Sequence, residues 1–513
     1  MEHSFRNRLV EIYKRHMSDI EIHQDDSVNI KVHCERSIAR ELSQFFTFTV
    51  PNYQYTPAYR NKIWDGQIRL FNVHTHLIYA GLKDYVKSFA EERRYSYEDK
   101  TSSVSKNITK KQVRSYLTDT IKPAIGGKSI TPYDHQINAI QYAIEHDRCL
   151  LLSPTGSGKS LIIYSLIRHY EKVLPKEKKI LIIVPTTGLV SQMYNDFKDY
   201  SSNSGWDVNK KCHIIYAGKD KITKKQIVIS TWQSIYKLLP KYFEEFGAVF
   251  GDECHLFKSK SLTAIMSKLT HCPYRIGTTG TLDGSHTHKL VIEGLFGRVF
   301  NVTSTKDLMD KELLSELEIE CITLQYTPKE IQEVKRVTYQ EEIKWLVENE
   351  KRNRFISKLC CTINDNILLL FNLVDTHGKP LYELISNECG KDRKVFFIHG
   401  GTDTEQREEI RQIIDKEKNA ILIASYGTCS TGINIKNIHN IIFASPSKSV
   451  VRVLQSIGRG LRKSDTKDKV KLYDISDDLC FKKYKNHTMK HLEERTRIYT
   501  NENFLWKTVR IHL

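Results

Sequence analysis

The chain has 513 residues, enough for about three domains that each bury their own hydrophobic core. Its formal net charge of +17 at pH 7 favours a polyanionic partner, although charge alone defines neither fold nor reaction. Apolar runs such as residues 180–184 are far shorter than the ~18 residues that cross a bilayer, and the first residues lack the apolar core of a signal peptide. We therefore expect a cytoplasmic protein with no membrane partner.

Cysteine usage argues against two further kinds of site. The chain has 11 cysteines, and none of them forms a C-x-x-C pair. Zinc sites and disulfide frameworks usually show regular cysteine spacing. The sequence therefore predicts neither of them, and it favours a reducing compartment.

The amino-terminal region, residues 1–88, alternates strand-like segments with turn signals, which predicts a small α+β domain. Within it, residues 53–71 interleave aromatic and basic side chains. Arg60 and Lys62 could contact phosphates while Trp64 stacks on a base or sugar, but an aromatic cluster in a small domain is more often core. We predict a small nucleic-acid-binding domain and keep the structural alternative open.

The remaining chain divides by composition. Residues 89–130 are polar and charged, which predicts a linker. Residues 131–325 and 326–480 each alternate short apolar runs with helical stretches, a pattern typical of parallel sheets covered by helices, so the fold class is α/β. Residues 481–513 form a basic tail that either extends a nucleic-acid track or packs as a helix on the second of these regions.

The first chemical motif is Ser153-Pro-Thr-Gly-Ser-Gly-Lys-Ser160, which lies between an apolar strand and a helical stretch. A phosphate-binding loop requires this strand–loop–helix context. Its glycines let backbone N–H groups face the phosphates, Lys159 supplies positive charge to the β- and γ-phosphates, and the Ser160 hydroxyl ligates magnesium. The predicted nucleotide contacts are Thr155, Gly156, Ser157, Gly158, Lys159 and Ser160.

An acidic pair follows the apolar strand at residues 248–251. Asp252 and Glu253 would then lie at the carboxyl edge of a parallel sheet, where α/β proteins bind ligands. We predict that Asp252 holds magnesium through water and that Glu253 orients and deprotonates the attacking water. A solvated turn is the alternative for an acidic pair considered alone.

Two arginines in the later region have a spacing that suits phosphoryl transfer. The string Gln455-Ser-Ile-Gly-Arg459-Gly-Leu-Arg462 places both guanidinium groups near one helix face. Such groups can stabilise the charge on a γ-phosphate held by another lobe, an effect worth roughly 10³ to 10⁵ in rate for arginine fingers. We predict that Arg459 and Arg462 are catalytic. A basic surface helix is the alternative.

The order of these motifs resembles that of the superfamily 2 helicases, and the whole chain resembles the UvsW recombination helicases of phages. The resemblance covers roughly residues 130–475, and over the amino-terminal domain it depends on segments such as residues 57–71. It implies two tandem RecA-like P-loop lobes, each a parallel sheet flanked by helices, behind the small α+β domain. It also implies ATP and magnesium as cofactors.

The resemblance also implies roles for residues around the nucleotide. Tyr133 would stack on the adenine and Gln136 would hydrogen-bond its edge, although unaided these residues indicate only the start of a helix. Gln455 would contribute to the closed ATP site, and Arg459 and Arg462 would both touch the nucleotide. All of these residues are therefore candidates for contact with ATP.

A further set of residues is implied to connect ATP with nucleic acid. Thr279 and Thr281 would link the γ-phosphate site to the nucleic-acid groove, and Gly432 belongs to a motif that senses both ligands. Hydroxyl groups at strand ends can bind phosphates without reading sequence, although simple strand-end capping is the alternative. The candidates for this contact are Thr186, Ser230, Thr231, Thr428 and Thr431.

The implied function is that of an ATP-dependent DNA helicase that remodels branched DNA by fork regression, junction branch migration and unwinding of RNA–DNA hybrids in phage recombination, repair and replication. Its partners would be branched or duplex DNA, RNA–DNA hybrids, and recombination or single-strand-binding proteins, in the host cytoplasm or nucleoid. The motor motifs equally permit a duplex translocase that does not separate strands. A motor subunit of a restriction or remodelling complex would need a partner, because no nuclease constellation is found. A non-catalytic binding module is disfavoured, because every expected catalytic position is filled.

Arg459→Ala is expected to lower steady-state ATP hydrolysis by about 10³-fold or more with little change in ATP affinity, because the guanidinium acts on charge that develops in the transition state. Measuring kcat and KM for ATP with saturating DNA tests this. An unaffected kcat would place Arg459 on the surface.

Overall fold

The protein is described here by a computed structural model, which covers residues 18–51, 53–101, 106–282, 286–390, 393–432, 435, 437–445, 449–461 and 469–513. Within these residues the chain forms an N-terminal domain and two lobes, each with its own sheet. In the described part of the chain, no helix is long and apolar enough to cross a lipid bilayer.

The N-terminal domain is a small sheet covered by two helices. Its elements are β1 Ile20–Gln24, β2 Asn29–Cys34, α1 Arg36–Phe45, β3 Thr47–Thr49, α2 Pro57–Arg60, β4 Gln67–Arg69, β5 Leu77–Tyr79, α3 Lys83–Arg93 and β6 Tyr97–Asp99. The four-stranded sheet has the order β5-β2-β1-β6, and β3 and β4 form a separate pair. Alternate residues of β1 and β2, such as Ile22 and Val32, are buried, as the two-residue period of a half-covered sheet requires.

The predicted linker, residues 89–130, is folded, and that prediction is corrected. Its first part completes α3 and contributes β6 to the N-terminal sheet. Its second part contains α4 Lys110–Ser115, a helical turn, and the hairpin β7 Ala124–Ile125 with β8 Lys128–Ser129. Val113, Leu117 and Ile121 recur every four residues among the charges and are almost completely buried. This apolar stripe packs against the first lobe. The polar average composition of the segment concealed the helical spacing of its apolar residues.

The first lobe is a seven-stranded parallel sheet flanked by helices, with the order β11-β12-β10-β13-β14-β9-β15. Every residue of β12 and β13 is buried, as expected for a parallel sheet covered on both faces. Its strands are β9 Arg148–Leu152, β10 Lys179–Val184, β11 Cys212–Ile215, β12 Ile227–Thr231, β13 Phe246–Asp252, β14 Tyr274–Thr279 and β15 Val299–Asn301. Its helices are α5 Asp134–His146, α6 Lys159–Val173, α7 Thr187–Tyr200, α8 Val208–Lys211, α9 Trp232–Ile235, α10 Pro240–Phe243, α11 Lys260–Lys268, α12 His286–Phe296 and α13 Thr305–Asp310.

The second lobe repeats this architecture with the strand order β18-β19-β17-β20-β21-β16-β22. The strands are β16 Glu316–Gln325, β17 Ile367–Phe371, β18 Val395–Ile398, β19 Ile421–Ser425, β20 Asn440–Phe443, β21 Lys469–Asp478 and β22 Leu505–His512. The helices are α14 Pro328–Glu333, α15 Tyr339–Glu348, α16 Glu350–Thr362, α17 Lys379–Cys389, α18 Thr404–Lys416, α19 Tyr426–Gly432, α20 Val450–Gly460 and α21 His487–Asn501. Two parallel sheets flanked by helices match the predicted tandem RecA-like lobes.

Both predicted boundaries of the second lobe are corrected. Strand β16 precedes the predicted start at residue 326, yet it pairs in parallel with β21 and β22. At the other end, residues 481–513 contribute α21 and the edge strand β22 to the same lobe. Arg495 of α21 is 2.8 Å from Asp474 of β21, and both side chains are buried. The basic segment is therefore part of the lobe, as the packing alternative had it.

One disulfide departs from the expectation from cysteine spacing. Cys361 and Cys389 are bonded, with their Cα atoms 5.6 Å apart, and they join the carboxyl ends of α16 and α17. The two residues are separated by 28 positions, and helix packing brings them together. Sequence spacing could not indicate this pair because its proximity is tertiary.

A buried ion pair in the second lobe generates a stability prediction. Arg352 Nε lies 2.8 Å from Asp477 Oδ1, with both side chains at most 1% exposed, and the Tyr326 hydroxyl donates to the same oxygen. Arg352→Ala leaves a buried carboxylate without its cation and should lower the free energy of unfolding by about 3–5 kcal/mol. Arg354→Ala, in the same helix but 65% exposed, should cost less than ~0.5 kcal/mol. Denaturant unfolding measures both, and equal losses would contradict the prediction.

Candidate functional site

The loop between β9 and α6 has the geometry of a phosphate-binding loop. Gly156 and Gly158 adopt φ angles of +88° and +85°, in the left-handed region that favours glycine. A Cβ atom on Gly158 would lie 2.1 Å from Gln136 Nε2, at the end of a side chain of α5. The positive φ angles therefore favour glycine at both of the positions where the sequence motif has it.

In this conformation the two phosphate-site side chains bond to the protein itself. Lys159 Nζ donates to the carbonyl oxygens of Ser153 and Pro154, at 3.0 and 3.4 Å. Ser160 Oγ lies 3.0 Å from the hydroxyl of Tyr200, the last residue of α7. A triphosphate would replace the neutral carbonyls with charged acceptors, which form stronger hydrogen bonds with an ammonium group. Tyr200 escaped the sequence analysis because only helix packing brings it to the loop.

The predicted adenine-reading residues lie beside the same loop. Gln136 Nε2 donates to Ser157 O at 3.0 Å, and His135 Nε2 lies 2.9 Å from the same oxygen. Burial lowers the pKa of His135, so the neutral ring can donate one N–H to that oxygen. The Tyr133 ring is 49% exposed and stacks on His135, so its outer face is open to a base. Gln136 therefore positions the loop in this structure, and the adenine contacts stay predictions.

The acidic pair lies at the carboxyl edge of β13, as predicted. Asp252 Oδ1 accepts a hydrogen bond from Thr278 Oγ1 at 2.9 Å, and its side chain is buried. Burial, followed by the negative charge of Glu253, raises the pKa of Asp252. A cation beside this carboxylate would stabilise its ionised form.

The donor set fits a magnesium ion. Ser160, Asp252 and Glu253 line one cavity of about 540 Å³ together with Lys159 and Tyr200. Magnesium prefers oxygen ligands and usually takes one or two protein carboxylates beside substrate phosphates and water. Two neighbouring carboxylates beside a hydroxyl match that preference, and the volume suits a nucleotide.

A chain of polar contacts leads from the acidic pair to the predicted coupling residues. His255 Nδ1 lies 3.3 Å from Glu253 Oε2 and 3.0 Å from Thr279 Oγ1. The Thr279 hydroxyl donates to the carbonyl of Thr281 at 3.0 Å. Thr279 and Thr281 are therefore connected to Glu253 by polar contacts, and their role in linking ATP to nucleic acid stays a prediction. The sequence analysis assigned no role to His255, although its place after the acidic pair was a usable signal.

The second lobe completes the site across a cleft. Gln455 Nε2 of α20 donates to Glu253 Oε2 at 3.3 Å. Three residues along the same helix, a Cβ atom on Gly458 would lie 2.7 Å from Thr155 Cβ, so glycine permits the helix to approach the phosphate-binding loop. The two lobes therefore meet at the predicted catalytic residue.

Several predicted residues cannot be placed in full. Arg459 lies in α20 directly after the glycine that faces the phosphate-binding loop, and its side chain is outside the described part of the structure. Arg462 lies outside the described residues altogether. Thr431 and Gly432 end α19, and the side chain of Thr431 is likewise not described. The roles of these residues stay predictions.

The predicted phosphate-binding hydroxyls mostly bond within their own loops. Thr186 caps α7 by accepting the N–H of Leu189. Ser230 and Thr231 are buried, and Ser230 Oγ donates to Thr231 O at 3.0 Å. Thr428 is also buried, with its Oγ1 2.8 Å from Ser425 Oγ. In this conformation the Ser230, Thr231 and Thr428 hydroxyls shape the strand-end turns, and their predicted contact with phosphates stays a prediction.

Two other features at the same sheet edge were missed. Gln233 is exposed and its Nε2 donates to Pro185 O at 3.2 Å, which joins two of the predicted nucleic-acid-binding loops. After β11, Gly218 has a φ of +83°, and nothing lies within 4 Å of a Cβ placed there. Lys219 follows it and is exposed. A glycine-containing turn directly after an apolar strand was the sequence signal that could have marked this loop as a further candidate for contact with nucleic acid.

Of the three predicted nucleic-acid contacts in the N-terminal domain, two are exposed on the surface and one packs against its own loop. Arg60 and Lys62 are exposed, whereas Trp64 is half-buried and donates its Nε1–H to Gln67 O at 2.7 Å. The domain is held on the first lobe by contacts that include the Tyr85 hydroxyl, which donates to Glu293 Oε2 at 2.7 Å. The Trp64 ring therefore supports its own loop and also lines the surface where the two cations lie.

Two RecA-like lobes, one with a phosphate-binding loop and an acidic pair and the other contacting that pair through Gln455, have the arrangement of a motor ATPase of the helicase class. Family models agree along the chain: DNA helicase UvsW, N-terminal, matches residues 19–98; Type III restriction enzyme, res subunit, matches residues 129–284; and Helicase conserved C-terminal domain matches residues 350–464. The chain belongs to the UvsW family of ATP-dependent DNA helicases.

Individual relatives support this assignment. The chain is 35% identical to the ATP-dependent DNA helicase uvsW of Enterobacteria phage T4, over 96% of this chain and all of the relative. The crystal structure of T4 UvsW matches 96% of this chain and 99% of that chain with a TM-score of 0.51. A match to DEAD-box helicase Mss116, with 15% identity and a TM-score of 0.53, covers 79% of this chain and 81% of that chain and shows the shared fold alone.

Lys159→Ala should abolish ATP hydrolysis while leaving DNA binding largely intact, because the ammonium serves the β- and γ-phosphates. Lys172→Ala, an exposed position near the other end of α6, is the matched control and should hydrolyse ATP at the unaltered rate. Phosphate release and DNA binding by anisotropy measure the two properties. Retained turnover in Lys159→Ala would remove the assignment of the loop.

Proposed function

We propose that this chain is an ATP-driven helicase that remodels branched DNA by regressing forks, migrating junctions and unwinding RNA–DNA hybrids in phage recombination, repair and replication. The observation that carries the proposal is a pair of RecA-like lobes in contact at the acidic pair, joined to a docked N-terminal domain with exposed cations. Arg60 and Lys62 supply a second nucleic-acid contact away from the cleft. A motor with two separate contacts can hold one arm of a branch while it moves along another.

The chemistry follows from residues on both sides of the cleft. Lys159 would exchange the Ser153 and Pro154 carbonyls for phosphate oxygens. Glu253, held by Gln455, would accept a proton from the attacking water, with Arg459 and Arg462 offsetting charge on the transferred group. Hydrolysis therefore requires both lobes, and a change in cleft opening would change the spacing of the backbone-binding loops.

Magnesium is the proposed second cofactor. Ser160 would ligate it directly and Asp252 through water, since both line the cavity that takes the nucleotide. Held by these residues, the ion would supply positive charge that offsets the negative charge of the phosphates. The Tyr200 hydroxyl lies next to Ser160 Oγ and can accept a hydrogen bond from it. The serine oxygen would then keep a lone pair directed at the site.

The test is steady-state ATP hydrolysis by the full chain, alone and with single-stranded DNA, plain duplex, forked DNA, a four-way junction and an RNA–DNA hybrid loop. We expect the strongest stimulation with branched or hybrid DNA, together with displacement of a labelled strand from the fork. Equal stimulation by plain duplex without strand displacement would instead favour a translocase. No stimulation by any of these nucleic acids would favour a motor subunit that needs a partner.

A further inference from the structure

The β3–β4 pair carries a long excursion whose tip exposes an isoleucine. The strands pair in register from Thr47 with Arg69 to Thr49 with Gln67, and the chain between them projects from the N-terminal domain. Ile63 at the tip is 78% exposed. Single exposed apolar side chains are ordinary on protein surfaces, so exposure alone indicates no function. Two further features distinguish this residue.

The backbone holds Ile63 in its exposed position. Its N–H donates to Ala58 O at 2.9 Å. Lys62, directly before it, has a φ of +55°, a conformation that a non-glycine residue adopts at an energetic cost when its surroundings impose it. Behind the tip, the Tyr53 ring packs so closely on Gly66 that a Cβ there would lie 2.2 Å from Cδ2 of the ring. The isoleucine is therefore presented by a fixed frame.

Cations and aromatic rings surround the exposed isoleucine. Ile63 lines a cavity of about 780 Å³ together with Arg60, Lys62 and the rings of Tyr59 and Trp64, and Arg69 in the same lining is paired with Asp65. Cationic side chains bind phosphates of any sequence, and aromatic rings provide faces on which bases stack. The charge and the shape of this surface therefore complement a nucleic-acid strand with unstacked bases.

We propose that Ile63 is an apolar wedge that inserts beside an unpaired base at a DNA branch point, with Arg60 and Lys62 on the flanking phosphates. Apolar side chains that enter between base steps unstack them, and unstacking costs least where a base is already unpaired. Such a wedge prefers a branch to an intact duplex. The inference rests on the branched-DNA function proposed above and names the residue that recognises the branch.

The test uses the full chain without ATP and a fork that carries 2-aminopurine at the branch point. Insertion of the wedge should unstack the fluorescent base and raise its emission, and the same base inside a plain duplex should respond weakly. Ile63→Ser should lose the rise and should lower the preference for fork over duplex by about tenfold, because a serine side chain cannot act as an apolar wedge. Ile63→Leu should retain both effects.

Two controls make the outcome decisive. Leu505 is an 80% exposed apolar residue at the start of β22, and it lies at the amino ends of the strands, whereas the motif loops lie at the carboxyl ends. The Leu505→Ser variant should keep the fluorescence rise. Melting temperatures should be unaltered in both serine variants, since both positions are exposed. If Ile63→Ser retains the rise in 2-aminopurine emission, the wedge proposal is overturned. Contact with a protein partner would then be the remaining explanation for the exposed isoleucine. Stimulation of the unmodified chain by branched DNA tests the proposed function separately.

Discussion

The predicted catalytic carboxylate, Glu253, is contacted by a residue of the other lobe, and the arrangement of the candidate ATP site depends on that contact. Glu253 ends a strand of the first sheet, and the amide that contacts it, Gln455, belongs to a helix of the second. Gly458 lets the same helix approach the phosphate-binding loop. Because the predicted site draws residues from both lobes, the proposed hydrolysis would respond to the spacing of the lobes.

The route from this cleft to the N-terminal domain is physically continuous. Polar contacts lead from the acidic pair through His255 to Thr279, at the end of β14. Helix α12 comes next in the chain and carries Glu293, which accepts the hydroxyl hydrogen bond of Tyr85 in the N-terminal domain. A shift of the β14 end during ATP turnover therefore has a packed helix through which to reach the domain that carries Ile63. Continuity permits coupling, and the fork experiments with and without ATP measure it.

The strand-end hydroxyls show that a residue can belong to a helicase motif while its side chain contacts only its own loop. Ser230, Thr231 and Thr428 lie at strand ends on the edge where the helicase motifs were expected, yet their hydroxyls bond inside their own turns. The motif therefore builds a loop of defined shape, and exposed groups such as Gln233 remain for a partner to meet. A strand-end hydroxyl can hydrogen-bond to nearby backbone as well as to a phosphate, so its residue type alone cannot decide between them.

The sequence by itself determined the features that depend on local spacing. The glycines and Lys159 of the phosphate-binding loop, the acidic pair after a buried strand, and the alternation that predicts two parallel sheets all follow from residues near one another in the chain. Only the tertiary structure decided the features that depend on distant pairing. Strand β16 joins the second lobe because it pairs with β21, Tyr200 reaches Ser160 because α7 packs on α6, and Cys361 meets Cys389 because two helix ends converge. Local periodicity carries no information about which distant segment a strand or helix will meet, and that is why these partners could not be predicted.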